Sequence, residues 1–200
     1  MRGTKTRGDA GTSKRLPKAE RRQQLLDVAR SIVRTEGTDA LTLVSLAERA
    51  GVSRPITYEH FETRAGLLIA LARSIDDGEM VLIRDALAKA KPRLADVARA
   101  ASEAYMRCVM TIGPEWQAIV AALQGDDEMD AVQREILEQY AELFRVALAP
   151  CTKLPRGDLK RRCIAIVGAA EALARELLLE RIDEATAAAT LSSLIVAWLA

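Results

Sequence analysis

Histidine, cysteine and aromatic residues are scarce in this chain, and each scarcity narrows the class of protein. The single histidine, His60, has no second histidine or nearby cysteine with which it could bind a metal. A Gly-x-Ser-x-Gly motif, a Cys-x-x-Cys motif and a glycine-rich phosphate loop are also missing. We therefore expect no catalytic residues, no metal site and no cofactor. An enzyme built on a helical scaffold stays open as an alternative.

The three cysteines, Cys108, Cys151 and Cys163, are an odd number and lie far apart in the sequence. This pattern is typical of reduced cysteines in a cytoplasmic protein rather than of a disulfide framework or a metal site. We expect these side chains to fill the core, and a redox sensor is the alternative.

Long apolar runs are also missing. Residues 1–24 are polar and basic, without the apolar segment of a signal peptide. The uncharged stretch 185–200 has only 16 residues and includes several hydroxyl side chains, so it is short for a membrane span. The sequence therefore predicts a cytoplasmic location, no membrane partner and a buried packing role for this last stretch.

Hydrophobic residues make up 50% of the chain and charged residues 28%, which indicates a globular protein. Alanine, leucine, arginine and glutamate abound, and alternating β-branched runs are few, so we predict an all-α fold. Gly113 and Pro114 are expected to end one helix. The predicted helices cover residues 17–35, two short segments within 42–61, and then 64–90, 93–111, 115–123, 129–148, 158–180 and 183–199.

Two short helices joined by a tight turn are predicted within residues 42–61. Thr42 and Ser53 are candidate N-cap residues, whose side-chain oxygens can accept hydrogen bonds from free backbone N–H groups. Between them, Gly51 can adopt the left-handed conformation that ends a helix. This order of features indicates a helix-turn-helix, in which the second helix enters the DNA major groove.

The spacing within residues 22–68 identifies a family. The residues that match are Ala29, Gly37, Thr42, Leu46, Ala47, Ala50, Gly51, Val52, Ser53, Pro55, Tyr58, His60, Phe61 and Leu67. In these positions the chain resembles the DNA-binding domain of the tetracycline-repressor (TetR) family of bacterial transcription regulators. We count about nine predicted helices, the number that the resemblance implies. Residues 1–16, rich in Gly, Thr, Ser, Lys and Arg, are expected to form a flexible basic arm. A DNA-binding domain at 17–64 and a ligand-binding and dimerisation domain at 65–200 should follow.

Candidate DNA contacts follow from the position of the second helix. Arg54 opens that helix and can pair with a guanine edge, with a phosphate contact as the alternative, and Ile56 can contact a thymine methyl group. The resemblance implies that Tyr58 and His60 contact the DNA backbone or a nearby base. Thr57, by contrast, should turn into the core, where its hydroxyl needs a backbone partner. The remaining candidate contacts are Thr42, Ser45, Ser53, Pro55 and Arg64.

The charge is distributed unevenly along the chain. Residues 1–64 hold 13 Lys/Arg and 8 Asp/Glu, a net charge of +5, whereas residues 65–200 hold 16 and 20, a net charge of −4. The basic part coincides with the helix-turn-helix, so we expect double-stranded operator DNA as a partner, with a palindromic sequence. A basic tail that only aids solubility is the alternative.

Apolar residues surround the last two predicted helices on more sides than one core face requires. We expect a homodimer through residues 158–199, from Asp158 to Leu199, in which two copies form a four-helix bundle. A monomer that buries both helices at its own centre is the alternative.

Flexible and aromatic side chains collect in the middle of the chain and could enclose a small-molecule site. The candidates are Tyr105, Met106, Met110, Trp116, Val120, Leu137, Tyr140 and Phe144. An ordinary packed core is the alternative for each of them. We predict a transcription regulator, a repressor that a small apolar inducer releases from its operator, and the alternative is a constitutive dimeric DNA-binding protein without an inducer.

Overall fold

The computed structural model describes residues 16–200, so all but the last residue of the predicted basic arm lies outside the described residues. Over that range the chain forms α-helices and a short 3-10 turn (Ala149–Cys151) and contains no strand, which confirms the all-α prediction. The helices are α1 (Lys18–Glu36), α2 (Leu43–Ala50), α3 (Arg54–Phe61), α4 (Arg64–Lys89), α5 (Leu94–Ala122), α6 (Asp127–Leu148), α7 (Arg156–Leu178) and α8 (Glu184–Leu199).

The first three helices form a small head, which we define as residues 18–61. Helices α2 and α3 have eight residues each, too few for an isolated helix to be stable in water. They are held instead by a shared apolar core with α1, in which Leu25, Leu46 and Phe61 are almost fully buried. Helix α3, which the sequence predicts to be the DNA-recognition helix, therefore depends on its neighbours for its shape.

Helix α4 joins the head to the body, which we define as residues 64–199. Only two residues separate it from α3, and Thr63, the second of them, caps it by accepting a hydrogen bond of 2.9 Å from the Gly66 N–H. Its 26 residues span about 39 Å at 1.5 Å per residue. One continuous rod therefore connects the recognition helix with the middle of the body.

Helix α5 runs without a break through Gly113 and Pro114, so the predicted helix end at this point is wrong, and residues 16–200 hold eight α-helices rather than nine. Pro114 has no N–H to donate to the carbonyl one turn earlier, which normally weakens a helix. Here Ile112, Gly113 and Glu115 of the same turn are buried, whereas Pro114 itself is exposed. A Cβ atom on Gly113 would lie 2.7 Å from a methyl carbon of Leu178 in α7, so the two helices approach closely there.

The body is a bundle in which α8 packs mainly against α5 and α7, and α6 packs against α7 and α4. Its centre is made of fully buried apolar side chains such as Phe144, Ile166 and Leu191. Of the helices described, none combines the length and the apolar character needed to cross a membrane.

Two of the three cysteines belong to this packed interior. Cys108 is 6% exposed and Cys163 is fully buried, and burial raises the pKa of both thiols to about 11. Both therefore stay protonated and unreactive at neutral pH, which agrees with the prediction that they fill the core. Cys151 is only partly buried, and its thiol is also free.

Candidate DNA-binding interface and body cavity

The start of α2 is closed by a reciprocal pair of hydrogen bonds. The Thr42 hydroxyl oxygen accepts from the Ser45 N–H at 3.0 Å, and the Ser45 hydroxyl oxygen accepts from the Thr42 N–H at 2.9 Å. This confirms the predicted cap at Thr42. Because the Ser45 hydroxyl also lies 2.7 Å from the Ala40 carbonyl oxygen, its proton is engaged inside the head. A phosphate contact at Thr42 or Ser45 remains a prediction.

The turn between α2 and α3 follows the prediction at Gly51 and departs from it at Ser53. Gly51 has φ 65°, the left-handed conformation that ends α2. Ser53 occupies the N-cap position of α3, but its side chain accepts no capping hydrogen bond, so that part of the prediction is wrong. Its exposed hydroxyl is not used by the cap. Pro55 lies in the first turn of α3, where its missing N–H leaves no helical bond unmade.

Thr57 fixes the recognition helix to α2. Its side chain is fully buried, and its hydroxyl lies 2.9 Å from the carbonyl oxygens of both Leu43 and Arg54. The prediction that Thr57 turns into the core is confirmed. Because this residue faces inward, the opposite side of α3 must face outward.

The outward side of α3 carries the predicted DNA contacts. Arg54 and Pro55 are exposed, Tyr58 is 49% exposed, and Ile56 is half-buried against the head core. The Arg54 guanidinium lies 3.2 Å from a carboxylate oxygen of Glu48, and both side chains are mostly in solvent. Such exposed ion pairs contribute little free energy, so Arg54 can exchange Glu48 for a base edge or a phosphate.

His60 lies at the end of α3 with its ring half-buried. Burial lowers the pKa of its imidazole, so the ring is neutral at pH 7, and within the described residues its Nδ1 atom has no hydrogen-bond partner. Arg22 of α1 donates to the His60 carbonyl at 2.5 Å and lies 4.8 Å from the centre of the Phe61 ring. These contacts attach the end of α3 to α1.

Arg64 has an internal role that its position in the sequence did not reveal. Its guanidinium donates to the carbonyl oxygens of Leu41 at 2.9 Å and Thr38 at 2.7 Å, so it holds the loop between α1 and α2. Since a guanidinium has five N–H donors, others are left over. The predicted phosphate contact at Arg64 therefore remains a prediction.

A cavity of about 120 Å³ lies in the body between α4, α5, α6 and α7. Four of the eight residues predicted to line a small-molecule site surround it: Tyr105, Trp116, Leu137 and Tyr140. The rings of Tyr105 and Tyr140 meet edge to face, with their centres 5.7 Å apart. The cavity is similar in volume to the ~150 Å³ cavities that hold one benzene ring.

The other four predicted residues lie outside the cavity lining. Met106 and Phe144 are fully buried in the packed core, Met110 is 50% exposed on the surface, and Val120 packs against the core. Each residue of a helix is turned by about 100° from the one before it. Because Tyr105 and Val109 face the cavity, Met106 and Met110 are turned away from it.

The polar part of this cavity was not predicted from the sequence. Asp76 and Glu79 of α4 and Glu171 of α7 all line it. Asp76 is 5% exposed, and the Tyr140 hydroxyl donates to Glu79 at 3.1 Å. A signal was present, because Glu79 stands four residues from Ile75 and four from Ile83, on the buried face of α4.

Burial makes these carboxyl groups unusually weak acids. It raises the pKa of Asp76 to about 6 and that of Glu79 to about 7, and the negative charge of Asp76 adds to the second shift. Burial also raises the pKa of the Tyr105 and Tyr140 phenols, which therefore stay protonated. The cavity thus combines acidic groups with aromatic rings.

Comparison with known proteins gives a family for the head. Residues 25–71 match the model of the family described as bacterial regulatory proteins, tetR family. The chain is 38% identical over 73 residues to the transcriptional activator FasR of Mycolicibacterium smegmatis, covering 36% of this chain and 33% of that protein. It is 30% identical over 130 residues to the transcriptional regulator BetI of Rhizobium meliloti, covering 62% and 61%. The chain thus matches between a third and three fifths of these relatives' lengths.

Solved structures extend the likeness over the body. A TetR-like transcriptional regulator from Rhodococcus sp. RHA1 superposes with a TM-score of 0.64 at 25% identity, covering 90% of this chain and 96% of the other. The multidrug binding protein EbrR in complex with malachite green superposes with a TM-score of 0.65 at 23% identity, covering 88% and 98%. By the match of residues 25–71, the head of this chain is a DNA-binding domain of the tetR family type, and the whole chain has the fold of TetR-like transcriptional regulators.

Proposed function

We propose that this protein is a dimeric transcription regulator that binds operator DNA in the bacterial cytoplasm and changes its affinity for that DNA when a small molecule enters the body cavity. The observation that carries this proposal is the exposed face of α3, from which Arg54 and Tyr58 project. On the opposite face of the helix, the buried Thr57 side chain is hydrogen-bonded to α2. The named relatives, FasR and BetI, are both transcription regulators, which supports the same class.

Regulators of this family bind operator DNA as dimers. For this chain we propose a dimer through α7 and α8, whose outer faces carry Ile164 at 52% and Trp198 at 42% exposure. A two-fold partner would cover these side chains with the same pair of helices. Two heads arranged in this way would reach successive major grooves about 34–36 Å apart, so the operator should be a palindrome.

Helix α4 provides a path from the cavity to the recognition helix. Asp76 lies twelve residues beyond the start of α4 at Arg64, which corresponds to about 18 Å along the helix axis. A ligand that displaces α4 at the cavity would therefore also move the end of the helix that adjoins α3. It can do so only if it binds one head arrangement better than the other, and the coupling must be reciprocal.

The cavity favours such a switch over the constitutive alternative, in which the body serves only to dimerise. EbrR, which shares the fold, is described with malachite green bound, and this supports a small-molecule site in the body. Repression relieved by an inducer is the direction we propose. FasR is named an activator, so the competing outcome is a ligand that alters activation of transcription instead of relieving repression.

The test is operator affinity measured by fluorescence anisotropy, with an operator selected from a random-sequence library. We expect a palindromic site bound by a dimer, and a compound found by thermal-shift screening should change its affinity roughly 5- to 150-fold. Trp116→Ala, in the cavity wall, should change the affinity for that compound and leave ligand-free operator binding intact. Met110→Ala, on the surface of the same helix, is the control.

Equal affinity for selected and random DNA would refute the proposal that the protein is a transcription regulator. If a bound compound leaves the operator affinity unchanged, the protein is a constitutive DNA-binding protein and not a ligand-controlled one.

A further inference from the structure

The body cavity has a chemical character that points to the class of its ligand. We propose that it binds a small organic cation, such as a quaternary ammonium ion, between buried carboxylates and aromatic rings. This inference rests on the proposed role of the cavity as the effector site. The residues that carry it are Asp76, Glu79, Glu171, Tyr105, Tyr140 and Trp116, all of which line the cavity.

The first observation concerns the position of Asp76 in the cavity wall. It is 95% buried, it lines the cavity, and within the described chain it has no cation within ion-pair distance. The Tyr140 phenol has one hydrogen to donate, which lies between Glu79 at 3.1 Å and Asp76, and it brings no positive charge to either carboxyl group. A carboxylate taken out of water without a counter-charge costs free energy, and a ligand cation would remove that cost.

The second observation is a group of aromatic side chains that line the cavity. Tyr105, Tyr140 and Trp116 come from two different helices and present their rings to the same space. The faces of such rings carry negative potential and attract cations, and quaternary ammonium ions are recognised in this way. A site made only for an apolar molecule would gain nothing from the two buried carboxyl groups beside these rings.

The charge balance of the site favours a positively charged ligand. Three carboxyl groups line the cavity, and the one guanidinium beside them, Arg175, lies with Glu171 toward the exposed face of α7. Within residues 16–200, no three metal-ligating side chains come close enough together to hold a metal ion. The arrangement therefore suits a diffuse organic cation better than a compact metal ion.

The volume limits the size of the ligand. About 120 Å³ accommodates a group the size of one benzene ring or a tetramethylammonium ion. Larger cations would have to extend toward α7, where Glu171 is exposed, or displace side chains of the wall.

The experiment compares tetramethylammonium with tert-butanol, a neutral molecule of similar shape. Each gives one sharp methyl resonance, so binding is measured by ligand-observed NMR on the intact protein. In a Trp198→Phe background Trp116 is the only tryptophan, and its fluorescence locates the binding in the cavity. We expect tetramethylammonium to bind roughly tenfold or more tightly than tert-butanol.

Three variants test the role of the carboxylates. Asp76→Asn and Glu79→Gln should each weaken tetramethylammonium binding roughly tenfold while tert-butanol binding stays unchanged. Neither should prevent folding, since each removes a buried charge and keeps the shape of the side chain. The matched control is Asp77→Asn, which neutralises an exposed carboxylate one residue from Asp76 and should leave binding unchanged.

Other outcomes would overturn the proposal. Equal or tighter binding of tert-butanol would indicate an apolar site, and competition by Mg²⁺ or Zn²⁺ at equal concentration would indicate a metal site. Equal losses in Asp76→Asn and Asp77→Asn would indicate only general attraction of cations to the surface. Ligand-free operator binding is measured on the same samples. If neither the wild type nor any variant binds the operator, the proposed regulatory function is refuted, whereas the cation site is not.

Discussion

The Arg30 guanidinium of α1 lies 2.7 Å from a carboxylate oxygen of Glu115 in α5, so an ion pair joins the head to the body. The side chain of Glu115 is only 9% exposed, whereas that of Arg30 is 38% exposed. Glu115 belongs to the same turn of α5 as Gly113 and Trp116, which line the cavity. The head is therefore attached to the cavity wall by this pair as well as by α4.

Breaking that pair should destabilise the protein. Arg30→Met leaves the buried Glu115 carboxylate without its cation and should lower the free energy of unfolding by ~1–3 kcal/mol. Adding Glu115→Gln should recover part of this loss, which a double-mutant cycle in urea would measure. The control is Arg73→Met, which breaks the pair with Glu135 in which both side chains are 48% exposed. It should cost under about 1 kcal/mol, and equal costs at both pairs would contradict the special role of Arg30.

Arg54 should read a base. Arg54→Ala is expected to weaken operator binding by ~1–3 kcal/mol and to relax the preference at one base pair, because a bidentate contact to guanine is lost. Binding to a set of single-base operator variants would measure both effects. Arg49→Ala is the control, since the Arg49 guanidinium is held by Glu36 through contacts of 2.6 and 2.8 Å. Uniform weakening on every sequence would instead identify Arg54 as a phosphate contact.

Stability should depend on pH through the cavity carboxyls. The pKa of Glu79 is raised to about 7 and that of Asp76 to about 6, mainly by burial. Between the ordinary values near 4 and these values, the folded chain binds more protons than the unfolded chain. The contribution of these two groups to the free energy of unfolding must therefore fall as the pH rises from about 4 to about 7. The other ionisable groups around this pair are Arg30, Arg73, Asp77, Tyr105, Glu135 and Tyr140.

Urea unfolding of the wild type and Glu79→Gln at pH 4.5 to 8 would measure this dependence. The variant should lose part of the slope and should be more stable at pH 8, by an amount on the order of 1–3 kcal/mol. Asp77→Asn, at an exposed site on the same helix, should follow the wild-type curve. Parallel curves for the wild type and Glu79→Gln would show that Glu79 has an ordinary pKa in the folded state.

The proposed dimer can be tested on the outer face of α7. Ile164→Arg places a charge where the partner helix should pack and should cost several kcal/mol of association free energy. Sedimentation velocity at micromolar concentration should show a dimer for the wild type and a monomer for this variant. Leu82→Arg, at a side chain that is 60% exposed on α4, should remain dimeric. A monomeric wild type would refute the interface.

Much of the head could be predicted because its signals are local. The cap at Thr42, the left-handed Gly51 and the inward turn of Thr57 depend on residues within a few positions of one another. The cap at Ser53 failed because a serine at the right position can still direct its hydroxyl to solvent. The local sequence therefore predicts where a helix begins more reliably than it predicts whether the N-cap side chain adopts the rotamer that caps it.

The body was harder to predict because its contacts join distant parts of the chain. The helix continues past Pro114 in the presence of packing from Leu178 and an ion pair from Arg30, neither of which is near it in sequence. The predicted cavity lining consists of apolar and aromatic residues, so it does not include the acidic side chains of α4. Their spacing on the buried face of that helix was visible, but only burial in three dimensions distinguishes Asp76 from its exposed neighbour Asp77.

The close approach of Gly113 and Leu178 also bears on how ligand preference could change in evolution. Both residues line the cavity, and an added methyl group at position 113 would meet the two methyl carbons of Leu178 at 2.7 and 2.9 Å. Leu178 would then have to turn, and the free space beside it is the cavity itself. A single alanine at this position would thus shrink the site without touching the ligand. Homologues could shift toward smaller effectors by that one step while every charged and aromatic contact stays the same.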